Sequence, residues 1–220
     1  GNIKGKLHGI PIIVKDNYDV GGLPTTAGCK ALMNSIAPDD AFVVKKLKDA
    51  GAIILAKANM SEFASSGRNS RSTIGGAVHN PYDTTRTPAG SSGGTGVAIT
   101  SNFAAAGLGT DTGSSVRAPS TMNNLFGLRV SLGLTSRDGI PLSLDNDIAG
   151  PLCRSAQDLA LMLSVMAGTD SNDSWTKDSD SMIPADGYTS YLKADGLKGK
   201  KIGYLQNSFG YYYNNKGEAV

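Results

Sequence analysis

Residues 39–56 read DDAFVVKKLKDAGAIILA, and they follow a short apolar run, IPIIV, at residues 10–14. Val43, Val44, Leu47 and Ala50 recur at helical spacing with lysines on the opposite face. The pattern predicts an amphipathic helix ending near Ala50, with Asp39 or Asp40 as its cap and Gly51 as its stop. The runs at 10–14 and 52–56 are short, apolar and rich in β-branched residues, the pattern of strands buried on both faces. A strand, a helix and a second strand in succession form a β-α-β unit. The expected fold class is therefore α/β, with a parallel sheet covered by helices.

Working outward, residues 65–95 are polar and loop-rich, 97–101 suit a short helix, and 103–108 read as another buried strand. A helix is predicted over 119–125, where Pro119 is tolerated in the first turn. Another is predicted over 155–167, with Ser155 as N-cap and Gly168 as stop. Residues 169–182 form a Ser/Asp-rich connector, and a strand is expected to restart at 201–205. No internal repeat is present.

The chain has 220 residues, enough for one large domain, and 40% of them are hydrophobic, as in a soluble globular protein. A net charge of +2 with scattered basic residues gives no case for binding nucleic acid or an anionic membrane. No run of 18 apolar residues predicts a membrane span. Cys29 and Cys153 are far apart, and only His8 and His79 accompany them, so neither a disulfide framework nor a zinc site is expected, and no other metal or cofactor is implied. His79 lies in a turn-like Val-His-Asn-Pro context and His8 follows a basic stretch; both read as surface or structural residues. If a serine is activated here, a base other than histidine is expected to do it.

Three segments carry candidate chemistry. In 9–17, GIPIIVKDN, Lys15 stands at the end of a buried strand, where α/β folds place their sites, and loss of hydration there lowers a lysine pKa. Taken alone, a lysine reaching solvent from a strand end is the more economical reading. In 88–96, PAGSSGGTG, a flexible linker is the simplest reading, yet the segment runs directly into apolar sequence; no GxxxxGK[ST] phosphate loop is present. In 109–117, GTDTGSSVR, a strand leads through a turn into a helix, which gathers backbone N–H groups and a serine hydroxyl and can supply an oxyanion hole. A purely structural turn braced by Asp111 and Arg117 is equally consistent. The segment is not the GxSxG elbow of α/β-hydrolases.

Taken together, these segments resemble the amidase signature family. The matching stretches are GKLHGIPIIVKDN (5–17), GSSGGTGVAIT (90–100), GLGTDTGSSVRAPS (107–120) and GLRVSLGLTSRDGIPLSLDNDIAGPLCRS (127–155). They lie in the family's order and cover the chain up to about Gly168. The resemblance implies a mixed, mainly parallel twisted sheet flanked by helices, incomplete in this chain. It divides the sequence into a catalytic core at 1–168, a polar connector at 169–200, and the truncated start of a C-terminal half at 201–220. It further implies a Ser-Ser-Lys triad, with Ser115 as nucleophile, Ser91 as bridge and Lys15 as base, and a cis peptide between Gly90 and Ser91. Backbone N–H groups of Thr112, Gly113, Ser114 and Ser115 would hold the oxyanion, while Ser92, Asp111 and Arg117 would support the loops. The family commonly has Gly-Gly before the nucleophile; here the pair is Gly113-Ser114, and a positive φ would strain the serine.

The implied activity is hydrolysis of a carboxamide through an acyl-enzyme, on a small-molecule or peptide amide, without a cofactor. The stretch 136–155 looks more like the peptide-amidase branch than the tRNA-amidotransferase branch. The alternatives are the amidase subunit of a glutamyl-tRNA amidotransferase and an inactive amidase fragment. A missing C-terminal half, which would complete the sheet, or a homodimer is expected as a partner. The cytoplasm is the expected location, although the native N-terminus is not seen.

Overall fold

In a computed structural model, residues 2–142 and 145–203 are described. The β-α-β unit consists of β1 (Pro11–Lys15), α1 (Phe42–Asp49) and β2 (Ile53–Ala58). A two-strand hairpin follows, β3 (Arg71–Ser72) with β4 (Gly76–Ala77), then α2 (Gly93–Thr100), β5 (Ala106–Thr110) and α3 (Arg117–Met122). The remaining elements are β6 (Phe126–Gly127), β7 (Ala149–Cys153) and α4 (Ala156–Met166). The main sheet has the order β2-β1-β5-β7-β6. β1 pairs in parallel with β2 and β5; β7 is antiparallel to both β5 and β6. Four of these five strands therefore run the same way, and β7 alone is reversed. The fold is mixed α/β, mainly parallel, with helices against the sheet.

The two sides of β1 feed two cores. Ile12 and Val14, with Leu108 of β5, pack against Val43, Val44 and Leu47 of α1 and Met162 and Met166 of α4. Ile13, on the opposite side, packs with Ala98 and Ile99 of α2. This is the alternation expected of a strand covered on both faces. Among the described residues, no helix is long and apolar enough to cross a membrane.

Several local expectations are corrected. Neither Asp39 nor Asp40 caps α1, whose N-cap is Ala41 without a side-chain bond. The Asp40 carboxylate is used elsewhere, accepting from Gly21 N at 2.8 Å and pairing with Lys48 at 2.6 Å. α2 starts at Gly93 rather than at residue 97. Glycine disfavours a helix start intrinsically, but close packing overrides that here: a Cβ on Gly94 would lie 2.0 Å from Asn59 O. Phe103 is not in a buried strand. It is 67% exposed, just after Asn102 turns the chain at φ 61°, and β5 begins only at Ala106. The helix expected over 119–125 is α3, shifted toward its N-terminus and ending at Met122. By contrast Ser155 caps α4 as read, accepting from Asp158 N at 3.0 Å.

The connector after α4 docks onto the core. Ser179 Oγ donates to Leu134 O at 2.6 Å, Ser136 Oγ to Asp170 at 2.5 Å, and Arg137 pairs with Asp173 at 3.1 Å. Residues 201–203 carry no regular structure, and the rest of the strand expected at 201–205 lies outside the described residues.

Leu108 is fully buried at the centre of the sheet, so Leu108→Ala is expected to cost roughly 2–5 kcal/mol. Lys45→Ala, which removes only an exposed pair with Asp49, should cost less than about 0.5 kcal/mol. Denaturant midpoints of the two variants check the contrast.

Candidate active site

The site lies where β1 and β5 end and α2 begins. Lys15 is the last residue of β1 and has no exposed surface. Its Nζ lies 2.7 Å from Ser91 Oγ and 2.6 Å from Thr110 Oγ1. Ser91 stands two residues before α2, and Thr110 is the last residue of β5. The three side chains come from distant parts of the sequence and are joined because β1 and β5 are parallel neighbours.

Burial strips water from the Lys15 amine and lowers its pKa to about 7, although the carboxylates of Asp147 and Asp111 pull it back upward. A lysine with that pKa is largely neutral in mildly alkaline solution and has a lone pair to offer.

The loop that holds Ser91 is built by close approach. The Gly90–Ser91 peptide is cis. A Cβ on Gly90 would lie 2.0 Å from Asn69 O, so only glycine fits. Ser70 Oγ donates to the carbonyls of Ala89 and Ser91, at 3.1 and 3.3 Å, and accepts from Gly93 N at 2.9 Å. Ser92 is buried; its Oγ donates to Thr110 O at 3.3 Å, and its N–H donates to Ser115 O, also at 3.3 Å. That backbone bond ties the Ser91 loop to the segment carrying Ser115.

Ser115 is 8% exposed and sits just before α3. No direct hydrogen bond joins its hydroxyl to Ser91 among the described residues. The preceding residues leave a row of donors open: the N–H groups of Thr112, Gly113, Ser114 and Ser115 make no hydrogen bond among the described residues. Four N–H groups left open in succession beside a serine hydroxyl are suited to receive a negative oxygen. Ser114 does not adopt a positive φ, so serine is unstrained where the family commonly has glycine.

Asp111 braces this row. Its carboxylate accepts from the N–H groups of Val116 and Arg117 at 3.1 and 3.2 Å, and from the Arg117 guanidinium through two bonds of 3.0 Å. Burial works against its charge, but Arg117 and these N–H groups outweigh burial and hold the carboxyl below its ordinary range. Arg117 also donates to Gly113 O at 2.6 Å.

Several participants were missed from sequence. Thr110 is in the quoted third segment but shares the Lys15 amine, which only the pairing of β1 with β5 reveals. Arg129 donates to the Asp111 carbonyl and to Asn146 O, fastening the approach to β7 onto the Ser115 loop. Asp147 is buried in that approach; burial raises its pKa, with Lys15 opposing. Tyr18 is fully buried and donates to Gly109 O at 2.6 Å. Thr110, Arg129 and Asp147 fall inside the quoted stretches and Tyr18 just after one, but no spacing pattern singles them out.

Neither histidine takes part: His8 accepts from Lys4 N and His79 faces Thr84 O, both at the surface. Cys153 is buried in β7 with its thiol pKa pushed up to about 12 by burial, which leaves it unreactive. No group of three His, Cys, Asp or Glu side chains among the described residues could hold a metal ion.

The chain is 41% identical to the peptide amidase of Stenotrophomonas maltophilia, covering 90% of this chain and 41% of that one, with a TM-score of 0.81. An amidase family protein of Bacillus anthracis is also 41% identical, with a TM-score of 0.85 over 90% of this chain and 40% of that one. A glutamyl-tRNA(Gln) amidotransferase subunit of Deinococcus radiodurans is 40% identical over 93% of this chain and 41% of its own length. The chain thus spans about two fifths of the length of the relatives it matches. The sequence model of the family described as Amidase matches residues 1–219, and the chain belongs to that family.

Proposed function

We propose that the chain carries the catalytic core of an amide hydrolase that cleaves a carboxamide through an acyl-enzyme on Ser115. The observation that supports this most directly is the 2.7 Å approach of the buried Lys15 amine to Ser91 Oγ, beside a loop with four open N–H groups. Neutral Lys15 takes the proton of Ser91 as Ser91 takes that of Ser115. The Ser115 oxygen then bonds to the amide carbon, and the carbonyl electron pair moves onto oxygen. The N–H groups of Thr112, Gly113, Ser114 and Ser115 meet the resulting oxyanion, which strengthens their hydrogen bonds in the transition state. The proton returns through Ser91 to the departing nitrogen as the C–N bond breaks. Water repeats the sequence on the ester and frees the acid. An amine leaves poorly unless protonated, so an amide needs this returning proton more than an ester does.

A peptide amidase and one component of an amidotransferase are both close in sequence. Resemblance of the stretch 136–155 to the peptide-amidase branch favours a free-standing hydrolase acting on a small or peptide amide. Release of ammonia from glutamine only with charged tRNA and a second protein present would instead favour the amidotransferase reading.

Three outcomes are expected. Ser115→Ala should abolish covalent labelling by a fluorophosphonate, and Lys15→Ala should slow it at least about a hundredfold; labelling undiminished in Ser115→Ala contradicts the nucleophile assignment. The wild-type labelling rate should rise with pH through about 7, because Lys15 acts only when neutral, and level off above it; a flat profile from pH 5 to 9 contradicts the base. Asp111→Ala removes a carboxylate that holds two N–H groups and a guanidinium, and should destabilise the protein by about 3 kcal/mol, read from thermal unfolding.

A further inference from the structure

Asn17 lies two residues beyond Lys15 and is buried. Its Nδ2 donates to Thr110 Oγ1 at 3.2 Å, the same hydroxyl that lies 2.6 Å from Lys15 Nζ. Its Oδ1 is buried and has no hydrogen-bond partner. Buried acceptors are normally satisfied, and those that are not call for an explanation. Turning the amide over would replace an orphan oxygen with orphan N–H donors, so the deficit belongs to the site rather than to the amide's orientation.

The relay has the opposite deficit. Neutral Lys15 has two N–H donors and one lone pair, and its two neighbours are Ser91 and Thr110. When the proton of Ser91 moves to Nζ, the amine becomes an ammonium with three N–H donors. Ser91 and Thr110 can receive two of them. The third needs an acceptor beside an amine that has no exposed surface.

We propose that Asn17 is a positioning residue of the relay, whose Oδ1 is held for the third N–H of the Lys15 ammonium that forms as Ser115 attacks. This rests on the reading of Lys15 as the base. The terminal torsion of asparagine is broad and soft, so the amide turns toward the ammonium as the charge arrives. No bond to carbon is made or broken; the Ser115 proton reaches Ser91, the Ser91 proton reaches Lys15, and Asn17 accepts a hydrogen bond only. Because the contact exists in the charged state and not in the resting one, it lowers the barrier without tightening ground-state binding.

The charges around the amine are few. Asp147, from the approach to β7, and Asp111, after β5, both favour the ammonium. Tyr18, on the same loop as Asn17, is held neutral by burial, and the Ser91 loop contributes no charge. Lys57 of β2 is paired with Asp16 at 3.0 Å. Asn17 is the uncharged acceptor among them.

The test is the pH dependence of fluorophosphonate labelling of Ser115 in the full-length protein, with maximal rate and probe affinity measured separately. Asn17→Leu keeps the size and removes the acceptor. Its maximal rate should fall at least about tenfold with probe affinity changed less than about twofold, and the rate midpoint should move to lower pH. Asn17→Asp is isosteric and adds a negative charge, so its midpoint should move up by about one unit or more. Opposite shifts are a signature that a merely structural role does not give. Midpoints that stay put, or move in the same direction, overturn the proposal. Should Asn17→Leu not fold, an unmoved midpoint in Asn17→Asp overturns it alone. Lys15→Met separates the two levels: wild-type labelling in that variant defeats the base assignment itself, whereas loss of labelling with unshifted Asn17 variants defeats only the role of Asn17.

Discussion

An amine with no exposed surface, held by two hydroxyls and by no carboxylate, is the constraint around which this chain is arranged. Burying a charged ammonium without a paired anion is costly, and the group answers by giving up its proton near neutrality. Everything that brings Lys15 to that condition is structural. β1 runs between β2 and β5 with a core on each side, so its last side chain is carried inside rather than to the surface. Asp147 and Asp111 lie close enough to moderate the shift without forming an ion pair with the amine.

The partners of Lys15 follow from chain geometry. Parallel pairing places the ends of β1 and β5 side by side, and the loops after parallel strands gather at one edge of a sheet. Ser91 reaches that edge from the start of α2, where glycines allow the backbone to touch its neighbours. The segment between β5 and α3 is held open by Asp111, which takes the N–H groups of Val116 and Arg117 and leaves the four before them free. A carboxylate that satisfies the donors after the serine, but not those at and before it, turns a strand-to-helix turn into an anion-receptive loop.

Much of this was legible in the sequence, for identifiable reasons. The β-α-β unit is marked by helical spacing at Val43, Val44 and Leu47 and by two β-branched runs; packing buries the first run in β1, but the second, expected to be buried, is the edge strand β2 with Ile53 and Leu55 half exposed. Lys15, Ser91 and Ser115 stand in glycine-rich or strand-end segments that composition marks only as candidates; their grouping as a triad is what the resemblance to the amidase signature family implies. The strands β6 and β7 left no such trace. β7 is Ala-Gly-Pro-Leu-Cys, and proline in a strand argues against that assignment, since it cannot donate to the ladder. It is tolerated because β6 pairs only with Leu152 and Cys153. Asp39 and Asp40 looked like helix caps because caps are usually acidic or hydroxylic, but a carboxylate can serve only so many donors, and Asp40 was taken by Gly21 and Lys48. Asn17, Thr110 and Asp147 were invisible because their roles depend on which strands become neighbours.

The protonation of Lys15 decides whether the relay can work. The direct measurement is the titration of its side chain by carbon-detected NMR in protein labelled at lysine Cε, with the resonance assigned by its loss in Lys15→Met. A midpoint near 7 is expected. A midpoint at the ordinary lysine value of about 10.4 would leave an ammonium beside Ser91 at neutral pH, and would contradict the relay.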